Sequence, residues 1–256
     1  YPSYIKALTK KLNKPWAVSV FKDNAGVVDW DEDHLVCIKV ETHNSPSALD
    51  PYGGALTGIL GVNRDILGCG MGFKPVANTN VLCFGEWNET EALPERLHHP
   101  KVIMTGVHRG IQDGGNKSGI PTVNGAFVFD ENFSGKPLVF CGTVGIAPRT
   151  VTTEAGTFEM HKKYASPEDK IVMIGGRVGA DGIHGATASS LALDESTPSS
   201  MVQIGDPLTQ KRVLDFLLEA QALGLYSSIT DNGAGGLSSS VGEMAESIGG
   251  ARLDLA

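Results

Sequence analysis

The amino-acid sequence predicts an α/β (α+β) fold with mixed sheets, on three observations. Apolar runs of strand length, such as residues 35–40 and 138–146, alternate with stretches whose apolar residues recur at helical spacing. Clusters of glycine and proline separate these runs and mark turns. The order strand, glycine loop, helix recurs along the chain, as it does where helices cover a sheet.

The elements follow in order. Residues 1–14 place Tyr4, Leu8 and Leu12 four apart with lysines on the other side, which predicts an amphipathic helix. Residues 18–21, 27–28 and 35–40 are predicted strands of a meander. Residues 54–67 carry Leu56, Ile59, Leu60 and Ile66 among glycines, the pattern of a helix packed closely on a sheet. Residues 81–84 form a short strand. Across residues 94–117, Ile103, Val107 and Ile111 repeat every four positions, a helix that closes at Gly114-Gly115-Asn116. Strands at 122–129 and 138–146 flank a turn at 130–137. The stretch 148–167, rich in Thr, Lys and Glu, marks a boundary, so the chain divides into a domain at 1–149 and the incomplete start of a second at 150–256. In that second unit, 170–174 reads as a buried strand by its continuous apolar run, 211–223 as a helix, 227–230 as a strand and 238–248 as a helix.

Composition narrows the function. Of 256 residues, 41% are hydrophobic and 20% charged, enough apolar mass for a core. A net charge of −8 leaves no basic stripe for nucleic acid. No signal peptide or membrane span is visible, so a cytoplasmic protein without nucleic-acid or membrane partners is expected. The four cysteines, Cys37, Cys69, Cys83 and Cys141, lack metal-site spacing and read as buried reduced thiols. The chain has no initiator Met and its last residues read as mid-strand, as expected of a piece of something longer.

The richest segment is Glu41-Thr42-His43-Asn44, which leaves the third predicted strand for a loop of prolines and glycines. Alternate residues of an extended chain face one way, so Glu41 and His43 can address one ligand. Glu41 suits Mg²⁺, and His43 suits donating to or stabilising a polarised oxygen; a satisfied polar pair at a strand end is the plainer reading. Arg64-Asp65 adds a phosphate-binding cation and a second carboxylate, or else an exposed ion pair. Asp113, Asn116 and Lys117 lie in a turn between helix and strand, out of order for a Walker loop. Residues 175–186 are glycine-dense enough to cradle an anion with Arg177. Gln203 and Asp206 precede a helix, where Asp206 is first an N-cap candidate. Asp231 runs from a strand into a glycine nest, and Ser238, Ser239 and Ser240 open the next helix, where hydroxyls and amides can meet one anion.

Together these motifs resemble the phosphoribosylformylglycinamidine (FGAM) synthase family, within the aminoimidazole ribonucleotide synthetase-like ATP-binding superfamily. The resemblance runs from Ser19–Gly26 through Glu41-Thr42-His43-Asn44, Gly61–Asp65, Gly114–Pro121, Asp181–Thr187, Val202–Pro207 and Asp231–Ser240. It implies an N-terminal domain with a mixed sheet, pairing through that sheet with a second copy into a homodimer or pseudo-dimer, followed by part of a C-terminal α/β domain. It implies ATP and Mg²⁺ as cofactors and formylglycinamide ribonucleotide as substrate, amidated through an iminophosphate with ammonia from a separate glutaminase domain or subunit. By resemblance His43 is the catalytic imidazole, and Glu41, Asp65 and Asp231 are Mg²⁺ ligands. Asn44, Arg64, Asp113, Asn116, Lys117, Gln203, Asp206 and Ser238 to Ser240 line the ATP and substrate site. Three departures stand out. Ser45 replaces a second His, Asn80 stands where an acidic residue is common, and Asn124-Gly125-Ala126 replaces Gly-Gly-Glu. A noncatalytic nucleotide-holding half of a large FGAM synthase, and another superfamily member such as aminoimidazole ribonucleotide synthetase, are the alternatives.

Overall fold

A computed structural model describes residues 2–90, 93, 95, 97–177, 179 and 202–254. Six strands form the central sheet: β1 (Ala17–Ser19), β2 (Gly26–Asp29), β3 (His34–Thr42), β4 (Lys74–Phe84), β5 (Thr122–Phe129) and β6 (Leu138–Pro148). Their order is β1-β2-β3-β6-β4-β5. All neighbours are antiparallel except β4 and β5, which run parallel. A parallel pair needs a crossover, and the helix α4 (Pro100–Ser118) provides it. The remaining elements are α1 (Pro2–Leu12), α2 (Asn44–Leu49), α3 (Pro51–Leu67), the hairpin β7 (Thr150–Thr153) and β8 (Gly156–Glu159), α5 (Pro207–Ala222) and α6 (Gly236–Glu246). The mixed α/β architecture expected from the sequence is the one observed.

Helices α3 and α4 cover one face of the sheet. Ala55, Ile59 and Val62 of α3 meet Ile103, Val107 and Ile111 of α4 above Leu82, Phe84, Val139 and Cys141. A second cluster lies toward β2 and β3, with Val27, Leu35, Cys37, Ile66, Phe73 and Met160. Helix α5 rests on α3 through Leu67, Leu214 and Leu217. The opposite face of the sheet shows Ile38 and Val40 of β3 to solvent. No residue of α1 is buried, so its apolar stripe also faces outward. Among the described residues no helix is long and apolar enough to cross a membrane.

Several boundaries differ from expectation for local reasons. α3 begins at Pro51 because Asp50 accepts from the Gly53 amide at 2.9 Å and Pro51 occupies the first turn. α4 runs through Gly114 and Gly115 and stops at Gly119, whose φ of 68° is left-handed. Gly114 and Gly115 are therefore helical, and Gly114 is where α4 approaches Ile59 of α3. Residues 170–174 are not a strand: Val172 is 72% exposed, and no described strand pairs with them. Residues 227–230 are likewise unpaired coil. An apolar run becomes a strand only when a neighbour supplies its ladder.

Candidate functional site

The site begins with the alternation of β3. Its inward row reads Leu35 and Cys37, both buried in the core, and continues as Lys39 and Glu41 toward His43. The row changes from apolar to charged where β3 runs out toward the end of the sheet. Here α3 contributes Arg64 and Asp65. Lys39 Nζ lies 3.0 Å from Glu41 Oε1 and 3.4 Å from Asp65 Oδ2, an ammonium between two carboxylates.

Asp231 reaches the group from the segment between α5 and α6. Its Oδ2 is 3.7 Å from Arg64 Nε, and its Oδ1 accepts from Asn24 Nδ2 at 3.1 Å. Asn24 also donates to Thr230 Oγ1 at 3.3 Å. The approach depends on Gly68, the C-cap of α3. A β-carbon there would lie 2.6 Å from Asn24 Nδ2 and 2.8 Å from the Asp231 amide nitrogen. The three carboxylates expected at the site thus meet around two cations.

Electrostatics follow from this crowding. Burial, then the nearby Asp231 charge, push the Asp65 carboxyl up to about 7, although Lys39 opposes them. Burial also raises Asp231, against the pull of Arg64, with Glu243 adding to the rise. Burial works against the Lys39 ammonium, but Asp65 and Glu41 overcome it and raise its pKa.

His43 is the N-cap residue of α2, and its Nδ1 bonds the Gly54 carbonyl. A carbonyl only accepts, so Nδ1 carries the proton and Nε2 the lone pair when the ring is neutral. Burial lowers its pKa, with the Gly54 bond and Glu41 opposing, so the neutral ring dominates near pH 7. The imidazole lies against Gly58 of α3, where a β-carbon would come within 2.9 Å of His43 Cβ. The neutral ring therefore offers an acceptor at Nε2.

The other expected residues divide. Asn44 Oδ1 accepts from the Val139 amide at 2.8 Å and ties α2 to β6. Gln203 is brought to α3, since its carbonyl accepts from Thr57 Oγ1, which in turn accepts from the Gly205 amide at 3.1 Å. Asp206 caps α5, accepting from Leu208 N at 3.0 Å and Thr209 Oγ1 at 2.8 Å. Asp113, Asn116 and Lys117 lie on the last turns of α4, not in a turn, and Lys117 pairs with Asp113 at 3.0 Å. Tyr52 also donates to Asp113, at 2.8 Å. The three serines do not face one anion: Ser238 donates to the Gly235 carbonyl, Ser239 to Glu243 and Ser240 to Asn232 Oδ1. Most of the glycine-dense stretch 175–186 lies outside the described residues.

Lys39, Asn24 and Glu243 are the members that sequence reasoning missed. Period two along β3 was the signal for Lys39, two residues before Glu41. Asn24 and Glu243 carried none, because only the tertiary fold brings them to Asp231 and Thr230. For a divalent ion the donor type fits, since carboxylate oxygens suit Mg²⁺. Among the described residues no three acidic, histidine or cysteine side chains are drawn together closely enough to grip an ion.

Comparison with known proteins bears on this arrangement. Residues 22–147 match the family described as AIR synthase related protein, N-terminal domain, and residues 166–256 its C-terminal domain. The phosphoribosylformylglycinamidine synthase subunit PurL of Thermoplasma acidophilum is 39% identical over 255 residues, 98% of this chain and 32% of that protein. A structure of T. maritima PurL complexed with FGAR superposes with a TM-score of 0.72 at 34% identity, covering 93% of this chain and 36% of the other. T. maritima PurL complexed with ATP gives 0.67 at 32% identity, covering 93% and 34%. The chain spans about a third of the length of the curated relatives it matches. With the two domain matches in sequence order, the first of them on a sheet that ends in this charged cluster, the chain belongs to the AIR synthase related protein family.

Proposed function

We propose that this chain forms the ATP- and substrate-binding region of an FGAM synthase. The reaction converts formylglycinamide ribonucleotide, ATP and ammonia into FGAM, ADP and phosphate. The observation that carries this reading is the cluster of Lys39, Arg64, Glu41, Asp65 and Asp231 beside a neutral His43. The likeness to PurL structures described with FGAR and with ATP supports it. We place the domain division at 1–149 and 150–256.

In this scheme ATP phosphorylates the amide oxygen, ammonia attacks the resulting iminophosphate carbon, and phosphate leaves. Phosphoryl transfer relies on positioning and charge neutralisation. Arg64 and Lys39 are the cations on hand for phosphate oxygens. Glu41, Asp65 and Asp231 would hold Mg²⁺, which supplies further neutralisation of the transferring group. With its Nδ1 proton committed to Gly54, His43 takes a proton at Nε2 from the attacking ammonia. Asn44, Gln203, Asp206 and the residues of the α4 end and α6 start are assigned to the walls of the site. Ammonia comes from a glutaminase domain or subunit, and the open sheet face pairs with a second copy of the fold.

The test is thermal unfolding of the chain with Mg-ATP, with formylglycinamide ribonucleotide, and with both. A ligand at about 100 times its Kd stabilises by about 2.7 kcal/mol. Both ligands are expected to raise the Tm, and in the full-length protein His43→Ala is expected to abolish formation of ADP and FGAM from ammonium chloride. A response to nucleotide alone would favour a nucleotide-holding half, and Ser45 in place of a second His is the feature that would then explain it.

A further inference from the structure

A band of orphaned polar atoms crosses the core beneath α3. Asn63 Nδ2, Asn78 Oδ1, both amide atoms of Asn80, and Ser118 Oγ have no hydrogen-bond partner, and these four residues are at most 3% exposed. They come from α3, from the inward face of β4 and from the last turn of α4. Buried polar groups are nearly always satisfied, so five such atoms in one layer of a domain point to something that satisfies them.

Asn63, Asn78 and Thr143 close a ring. Asn78 Nδ2 donates to Asn63 Oδ1 at 2.9 Å and to Thr143 Oγ1 at 2.7 Å, and Thr143 Oγ1 donates to Asn63 Oδ1 at 2.7 Å. The ring consumes the oxygen of one amide and the nitrogen of the other. Turning both amides over preserves the ring and again leaves one donor and one acceptor outside it. Asn80, two residues along the same face of β4, adds another donor and acceptor. Asn63 and Ser118 line a narrow cavity closed by Gln210 and Lys211 of α5, with room for about one water molecule.

The mixture of groups selects the ligand. A cation would satisfy the oxygens and confront the amide N–H groups, and an anion would do the reverse. A small neutral molecule that both donates and accepts suits all of them. We propose that an internal water bridges Asn63 and Ser118 in this cavity and that the hydrated band continues to Asn80. Arg64 lines the same cavity, and its buried Nε, 3.7 Å from Asp231 and too far for a direct hydrogen bond, is a further polar atom without a partner. Hydration therefore reaches the back of the charged cluster and joins α3, α4 and α5.

Oxygen-17 relaxation dispersion on the full chain counts internal waters that outlive molecular tumbling, and thermal unfolding reports their worth. The wild-type chain is expected to show such waters. Ser118→Ala, which keeps the helix, is expected to lose one and to lower the Tm by about 2 °C. Asn80→Leu fills the band with methyl groups and is expected to lose another. Absence of long-lived waters in the wild type overturns the proposal. So does a raised Tm with an unchanged water count in either variant, since removing a dry orphan relieves a penalty.

Discussion

Asp65 concentrates the chemistry of the site into one titration. With its carboxyl pushed up to about 7, the folded chain keeps a proton between about pH 4 and 7 that the unfolded chain has lost. The folded state therefore binds more protons across that window, and this group's contribution to stability grows as pH falls from about 7 to 4. Above pH 7 the ionised, buried carboxylate is a net burden. His43 works in the opposite direction, because burial holds its pKa below the usual value and acidification must charge it. The two effects separate in Asp65→Asn. Without divalent cations at about pH 8, that variant is expected to unfold higher than the parent by about 4 °C, equivalent to about 2 kcal/mol after allowing for residual solvation. Near pH 5 the difference should vanish. Mg²⁺ should raise the Tm of the parent at pH 8 and leave the variant unmoved; an Mg²⁺ response that survives Asp65→Asn would remove Asp65 from the metal site.

At the scale of elements, the site is the place where α3 and β3 come close, and glycines set how close. Gly68 has a φ of −78°, a backbone any residue adopts. The cost of Gly68→Ala therefore falls on contacts, chiefly Asn24 Nδ2 and the Asp231 amide. Overpacking of this kind costs about 1–3 kcal/mol. The variant is expected to remain folded, with Asp231 displaced and the Mg²⁺ response weakened at least tenfold in concentration, read by calorimetric titration. An unchanged Mg²⁺ titration would show that Asp231 is not held by this approach. The same closeness decides what the sequence could reveal. β5 was legible to the residue, and the four-residue repeat of Ile103, Val107 and Ile111 revealed α4, although that helix starts at Pro100 and not at 94. Glu41 and His43 were legible through period two, and Arg64 and Asp65 through their place after a glycine-rich run. Residues 170–174 misled because continuous apolar character signals burial without naming what buries it. Asn24 meets Asp231 across more than two hundred residues, and nothing local encodes that bond.

Among the described residues, the sheet is covered on one face only. Helices α3 and α4 protect one face, while Ile38, Val40 and Val76 on β3 and β4 are exposed, and Val123 and Val128 on edge strand β5 are exposed as well. Contiguous apolar surface of this kind marks an interface, and a sheet buries a face most completely against another sheet. A stable interface covers about 1,200–2,000 Å² in total, within reach of two six-stranded sheets. A second copy of the fold is the occupant that the geometry suits, because identical open faces match in size and apolar character. Light scattering is expected to report a dimer at micromolar concentration. Ile38→Glu, which puts a carboxylate in the middle of that face without touching the core side of β3, should give a folded monomer with its Asp65 titration intact. A parent chain that stays monomeric at every concentration would mean that another partner covers this face. A dimer that survives Ile38→Glu would move the interface elsewhere, with the exposed stripe of Tyr4, Leu8 and Leu12 on α1 as the next surface to test.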